Sequence, residues 1–128
     1  MTVLEHRRIV FGLGDLREAA AAHLPEISPG LVPREAEIIG LAIVPETLSL
    51  RLRLGGDGAP PSDAEVSTAQ LGALLIRRCR ALGIPLPRRG AKALEADMAG
   101  VTMVIQAVHD QTVKRQRAPS ELARTPRA

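Results

Sequence analysis

The hydrophobic pattern of this chain runs twice. Residues 10–54 and 65–109 align at an offset of 55 without a gap, and each half reads as a short strand, a helix, a proline-containing turn and two strands. Five of the aligned pairs are identical, Arg34 and Arg89 among them, so the agreement is one of element type rather than of residue identity. The pattern predicts a duplicated βαββ unit.

The predicted fold class is therefore α+β, with two helices packed on a mainly antiparallel sheet. We expect a single domain over residues 1–109, made of the pseudo-repeats 10–54 and 65–109 and a linker over residues 55–64 that is rich in glycine and proline. A chain of 128 residues is long enough to bury one such core without disulfides or a metal.

Three local patterns give the clearest predictions of secondary structure. The run from Leu48 to Leu54 alternates with period two, which predicts a strand with leucines facing the core and Ser49, Arg51 and Arg53 facing water. Ser67 and Gln70 have the spacing of a capping box, which predicts the start of a helix. Residues 92–98 and 101–108 are expected to pair as a hairpin.

The net charge of +3 comes entirely from the C-terminal segment. Residues 1–109 contain twelve basic and twelve acidic side chains, whereas residues 110–128 contain five basic and two acidic ones. The latter segment has little apolar periodicity and two prolines, so we expect a disordered basic tail there.

Composition argues against several classes of function. Phe11 is the only aromatic residue, so the chain lacks the side chains on which single-stranded nucleic acids stack. The longest apolar run, residues 38–44, is far shorter than the roughly 20 residues of a membrane helix. With one cysteine, Cys79, and no charged-then-apolar leader, a cytoplasmic location is expected.

The sequence contains no recognisable catalytic or metal-binding motif. The three histidines show no ligand spacing with one another or with Cys79, which falls on an apolar helix stripe and is expected to be a buried, inert thiol. Gly12-Leu13-Gly14 stands between a strand and a helix, as in a dinucleotide fingerprint, but Arg17 occupies the third glycine position. We therefore expect a protein that is not an enzyme and that has no metal site or cofactor.

The segment from Arg77 to Lys92 contains six positive charges and no acid. Guanidinium groups suit phosphate or carboxylate, and Pro85 and Pro87 would hold the second cluster rigidly after the helix. The predicted ligand-binding residues are Arg77, Arg80, Arg88, Arg89 and Lys92, together with the repeat counterpart Arg34. A solvated helix face whose cations interact with the helix C-terminus is the alternative explanation, because the chain uses fifteen arginines against two lysines.

Two functions fit these observations. The first is a non-catalytic interaction or regulatory module, acting as a homodimer, that binds an acidic protein or a small anionic ligand through the arginine-rich patch. The alternative is a sequence-tolerant protein that binds the backbone of nucleic acids through the same patch and the C-terminal tail. The first is favoured because Phe11 alone cannot supply a surface on which nucleic-acid bases stack.

Overall fold

The computed structural model describes residues 2–56 and 58–110. In chain order the elements are β1 (Thr2–Gly12), α1 (Leu13–Ile27), β2 (Glu37–Val44), β3 (Ser49–Gly56), β4 (Ala59–Val66), α2 (Thr68–Ala81), β5 (Ala91–Ala96) and β6 (Gly100–Asp110). The strands form two antiparallel sheets of three, in the orders β1-β6-β5 and β2-β3-β4. The α+β class is confirmed. The tail predicted over residues 110–128 lies outside the described residues, except for Asp110, at which β6 ends.

The order of elements is βαββ in each half of the chain. Each sheet combines the first strand of one half with the last two strands of the other, so that exchanging the halves leaves the strand order unchanged. α1 begins at residue 13 and α2 at residue 68, which reproduces the offset of 55 in the sequence pattern. This is an agreement of topology and position, and a duplication of one ancestral unit stays a prediction.

The described residues fall into two compact units. The larger comprises Arg8–Leu86 and Ala93–Val104, and the described part of the smaller comprises residues 2–7, 87–92 and 105–110. β1, β5 and β6 contribute residues to both. The larger unit has an aliphatic core whose most deeply buried large side chains are Leu16, Leu24, Leu50, Leu52, Leu54, Val66, Leu71, Leu74, Leu75, Val101 and Met103.

Strand β3 follows the predicted alternation, with one exception. Leu50, Leu52 and Leu54 are buried, whereas Arg51 and Arg53 are exposed. Ser49, predicted to face water, is only 3% exposed. Its hydroxyl lies 2.6 Å from that of Thr47, so the buried oxygen has a hydrogen-bond partner.

The segment predicted as an irregular linker, residues 55–64, is largely strand. β3 extends to Gly56, and β4 runs antiparallel to it with Arg53 opposite Asp63. Pro60 and Pro61 fit in β4 because it is an edge strand and because both lie at a register shift, between the pairs Leu54–Ser62 and Gly56–Ala59, where the ladder is already interrupted. The prolines and glycines that predicted a break in regular structure lie in or beside the edge strand of the sheet instead.

The capping box of α2 is present as predicted. Ser67 Oγ accepts a hydrogen bond from the backbone N–H of Gln70 at 3.2 Å, and Gln70 Oε1 accepts one from the N–H of Ser67 at 2.8 Å. α1 continues through Pro25, a residue that usually interrupts a helix, to Ile27. Ser28 then follows, and its N–H donates to Leu24 O at 2.8 Å.

Candidate functional site

A pocket of about 780 Å³ opens in the larger unit beside α1. Its walls are one face of α1, the segment that follows the helix, and the start of β2. The lining residues are Arg17, Ala20, Ala21, Pro25, Pro29, Gly30, Val32, Pro33, Arg34, Ala36, Glu37 and Ile38. The volume lies within the range of roughly 300–1,000 Å³ that small-molecule pockets occupy.

The wall of the pocket that α1 forms leaves room for a ligand because Ala20 and Ala21 have small side chains. Ala20 and Ala21 lie three and four residues after Arg17, and Pro25 lies four residues after Ala21, which places them on one side of α1. The leucines of α1 at positions 16 and 24 are fully buried in the core instead. Alanine methyl groups therefore form the floor, and open space remains above them.

Two tight turns build the opposite wall. The backbone N–H of Leu31 donates to Ser28 O at 3.1 Å, and Gly30 has φ +91 with Pro29 before it, the arrangement of a type II turn. A second turn closes where the N–H of Ala36 donates to Pro33 O at 3.0 Å, and it carries Arg34. Proline at both turns restricts the backbone of this wall.

Gly56, at the end of β3, supports the second turn. A Cβ atom on this residue would lie 2.7 Å from Glu35 O, so the turn's backbone lies directly against the strand. The backbone φ of +152 at Gly56 is also one that other residues rarely adopt. The position of Arg34 therefore depends on a glycine twenty-two residues further along the chain.

Five of the nine other described arginines form an ion pair within 4.0 Å, whereas the two guanidinium groups of the pocket do not. Arg17 Nη2 donates to the carbonyl oxygen of Ile38 on β2 at 2.8 Å, which fixes one edge of that guanidinium. Among the described residues, neither Arg17 nor Arg34 has an acidic side chain within ion-pair distance. The ion pairs at 3.0–3.5 Å elsewhere are Arg8–Glu95, Arg53–Asp63, Arg77–Glu26 and Arg78–Glu18.

The arginines of α2 lie in a more acidic environment than their sequence segment indicated. Arg77 Nη1 lies 3.1 Å from Glu26 Oε1, and Arg78 Nη2 lies 3.2 Å from Glu18 Oε1. Both acids come from α1, which supplies the negative charge that the segment itself lacks. Arg80 is exposed. Neither Arg77 nor Arg80 lines the pocket that contains Arg34.

The other three predicted ligand-binding residues belong to the smaller unit. Arg88 and Arg89 are exposed, and Lys92 Nζ donates to Pro87 O at 3.2 Å. Of the six predicted residues, Arg34 lines the pocket together with a second cation, Arg17. A binding role for the remaining five stays a prediction.

Arg17 is the residue that sequence reasoning missed. From the sequence, Arg17 was considered only as the residue that breaks a glycine-rich fingerprint. Its spacing to Ala20 and Ala21 places a cation beside small side chains on one face of the helix. The fingerprint itself has a plain structural role. Gly12 is the N-cap of α1, and its N–H donates to Asp15 Oδ2 at 3.1 Å, so a carboxylate already occupies this helix terminus.

No protein-family model, curated protein or solved structure matches the chain. In the described part of the chain, neither helix has the length and apolar character needed to cross a membrane, and no three His, Cys, Asp or Glu side chains group as metal ligands would. The chemistry of the site therefore has to be argued from its own residues.

Proposed function

We propose that this protein is a binding module for a small organic anion, held in the pocket between α1 and β2. Arg17 and Arg34 bind the anionic group, and the surrounding alanine, proline, valine and isoleucine side chains contact the apolar part of the ligand. The observation that carries the proposal is that two arginines without an acidic partner in the described chain line one apolar pocket.

Charge and orientation support the proposal. Both guanidinium groups are exposed, so an anion can reach them from solvent, and a charge-assisted hydrogen bond to a guanidinium is stronger than one between neutral groups. Arg17 is already oriented by its bond to Ile38 O, which lowers the entropy lost when its remaining N–H groups bind a ligand. A bound anion supplies the acidic partner that Arg17 and Arg34 lack in the described part of the chain.

The lining favours binding over catalysis. Among the described lining residues, the ionisable side chains are two arginines and Glu37, and no nucleophilic hydroxyl, thiol or imidazole stands beside them. A regulatory or carrier role fits this set of groups. The proposal keeps the small anionic ligand that the sequence predicts. Arg34 belongs both to the predicted ligand-binding residues and to the pocket.

The test is a panel of small organic anions screened by ligand-observed NMR, with hits mapped on the ¹H–¹⁵N spectrum of the full chain. We expect perturbations at Ala20, Ala21 and Gly30, and a loss of affinity of about tenfold or more in Arg34→Ala. Arg51→Ala is the matched control, since Arg51 is an exposed arginine of β3 outside the pocket. Perturbations that avoid the pocket, or equal affinity in Arg34→Ala and wild type, would refute the proposal.

A further inference from the structure

We infer that the ligand of this pocket is an aliphatic monocarboxylate, an inference that rests on the proposed function and narrows it to one chemical class. Three properties of the pocket lead to it: the kind of apolar surface, the balance of charge and the arrangement of the donors.

The apolar surface is aliphatic throughout. Eight of the twelve lining residues are alanine, proline, valine or isoleucine, and none is aromatic. The chain's single aromatic residue, Phe11, is 3% exposed and does not line the pocket. Nucleobases and other flat rings gain much of their affinity by stacking on aromatic side chains, which this pocket does not offer. A saturated chain instead gains from each methylene that it buries, about 0.8 kcal/mol by transfer measurements.

The charge of the lining matches a single negative charge. Arg17 and Arg34 contribute two positive charges and Glu37 one negative charge, which leaves a net charge of +1. A carboxylate neutralises that excess. A phosphate monoester carries nearly two negative charges at neutral pH, so it would exceed the positive charge available and would be repelled by Glu37.

The donors also suit a carboxylate. Arg17 uses Nη2 for Ile38 O, and its other N–H groups remain for a ligand that can accept two parallel hydrogen bonds. The volume of about 780 Å³ greatly exceeds what a carboxyl group alone would fill. A molecule of liquid water accounts for roughly 30 Å³, so the space holds a chain of many carbon atoms beyond the head group.

The experiment compares four probes, each kept below its critical micelle concentration: decanoate, decanol, decyl phosphate and 1-naphthoate. Titration calorimetry on the full-length protein gives the affinities, and ¹H–¹⁵N spectra place each probe. Decanoate is expected to bind at least about tenfold more tightly than each of the others, and Arg17→Ala and Arg34→Ala are each expected to weaken it by a similar factor. Arg51→Ala should leave its affinity unchanged.

A second variant tests the charge argument directly. Glu37→Gln is expected to narrow the preference for decanoate over decyl phosphate, because it removes the negative charge that repels the dianion. Tighter binding of naphthoate or decyl phosphate than of decanoate, in an arginine-dependent manner, would overturn the ligand class and leave the anion-binding function standing. If no probe binds, or if neither arginine substitution changes the affinity, both the ligand class and the anion-binding function are wrong.

Discussion

Gln70 of α2 donates from Nε2 to the hydroxyl of Ser28, 2.5 Å away at the C-terminal end of α1. The same side chain accepts from the backbone N–H of Ser67 and so completes the capping box. The end of one helix is therefore joined to the start of the other by a residue that also starts its own helix. Two ion pairs, Glu18–Arg78 and Glu26–Arg77, join the same two helices elsewhere.

Replacing Gln70 should cost more stability than replacing Ser28. Gln70→Ala removes the interhelical bond and the bond from the Ser67 N–H to Gln70 Oε1, whereas the backbone N–H of residue 70 still donates to Ser67 Oγ; the expected loss in the free energy of unfolding is about 1–2 kcal/mol. Ser28→Ala removes the interhelical bond and keeps the cap, so about half that loss is expected. Chemical denaturation followed by circular dichroism measures both. Equal losses in the two variants would show that the hydrogen bond from the Ser67 N–H to the Gln70 side chain contributes nothing to stability.

The two neighbouring arginines of α2 should differ in their contribution to stability. The side chain of Arg77 is 46% exposed, so Arg77→Ala should change the free energy of unfolding by less than about 1 kcal/mol. The side chain of Arg78 is only 19% exposed, so Arg78→Ala also removes buried packing and should cost about 1 kcal/mol more. Denaturation of the two variants side by side measures the difference. A larger loss in Arg77→Ala would contradict the burial seen at these positions.

Two glycines should respond to alanine in opposite directions. Gly72 lies within α2 and has open space where a Cβ would stand, so Gly72→Ala should stabilise the protein by about 0.5–1 kcal/mol. Gly90 has φ +130, and a Cβ there would lie 2.6 Å from Gln106 O, so Gly90→Ala should destabilise it by about 1–3 kcal/mol. Melting temperatures of both variants report the signs, and a shift in the same direction for both would disprove this explanation.

Cys79 should be unreactive in the folded protein. The residue is fully buried on α2, so a thiol reagent can reach its sulfur only when the structure opens. Labelling with a chromogenic disulfide reagent is expected to be slow in buffer and rapid and stoichiometric in guanidinium chloride. Rapid labelling of the native protein would place this thiol at the surface.

Periodicity and capping predicted most of the elements, because they report local geometry. The leucines of β3 and the Ser67–Gln70 pair specify a strand and a helix start within a few residues of sequence. Residues 59–64 of β4 were predicted as linker because Pro60 and Pro61 normally indicate a break, and sequence alone does not show that both lie at a register shift of an edge strand. The environment of Ser49 was also predicted wrongly. Alternation shows which face of a strand a residue occupies, but it does not show that the hydroxyl of Ser49 is buried within hydrogen-bond distance of Thr47 in the preceding turn.

The candidate site was predictable only in part. Arg34 was identified from its match to Arg89, but its pairing with Arg17 arises from folding, since α1 and the turn after it come together around small side chains. The neutralisation of Arg77 by Glu26 is likewise a contact between residues far apart in sequence. A homodimer, an acidic protein partner and a nucleic-acid partner stay predictions from composition.

The exchange of strands between the two halves has a consequence for synthesis. The sheet β2-β3-β4 has all its strands once Val66 has left the ribosome, whereas β1 lies beside β6, which is made about ninety residues later. Until then the backbone N–H and C=O groups of β1 lack the strand that pairs with them in the folded protein. Among the described strands, β1 therefore waits longest for its neighbour, and its unpaired backbone is open to aggregation during that time.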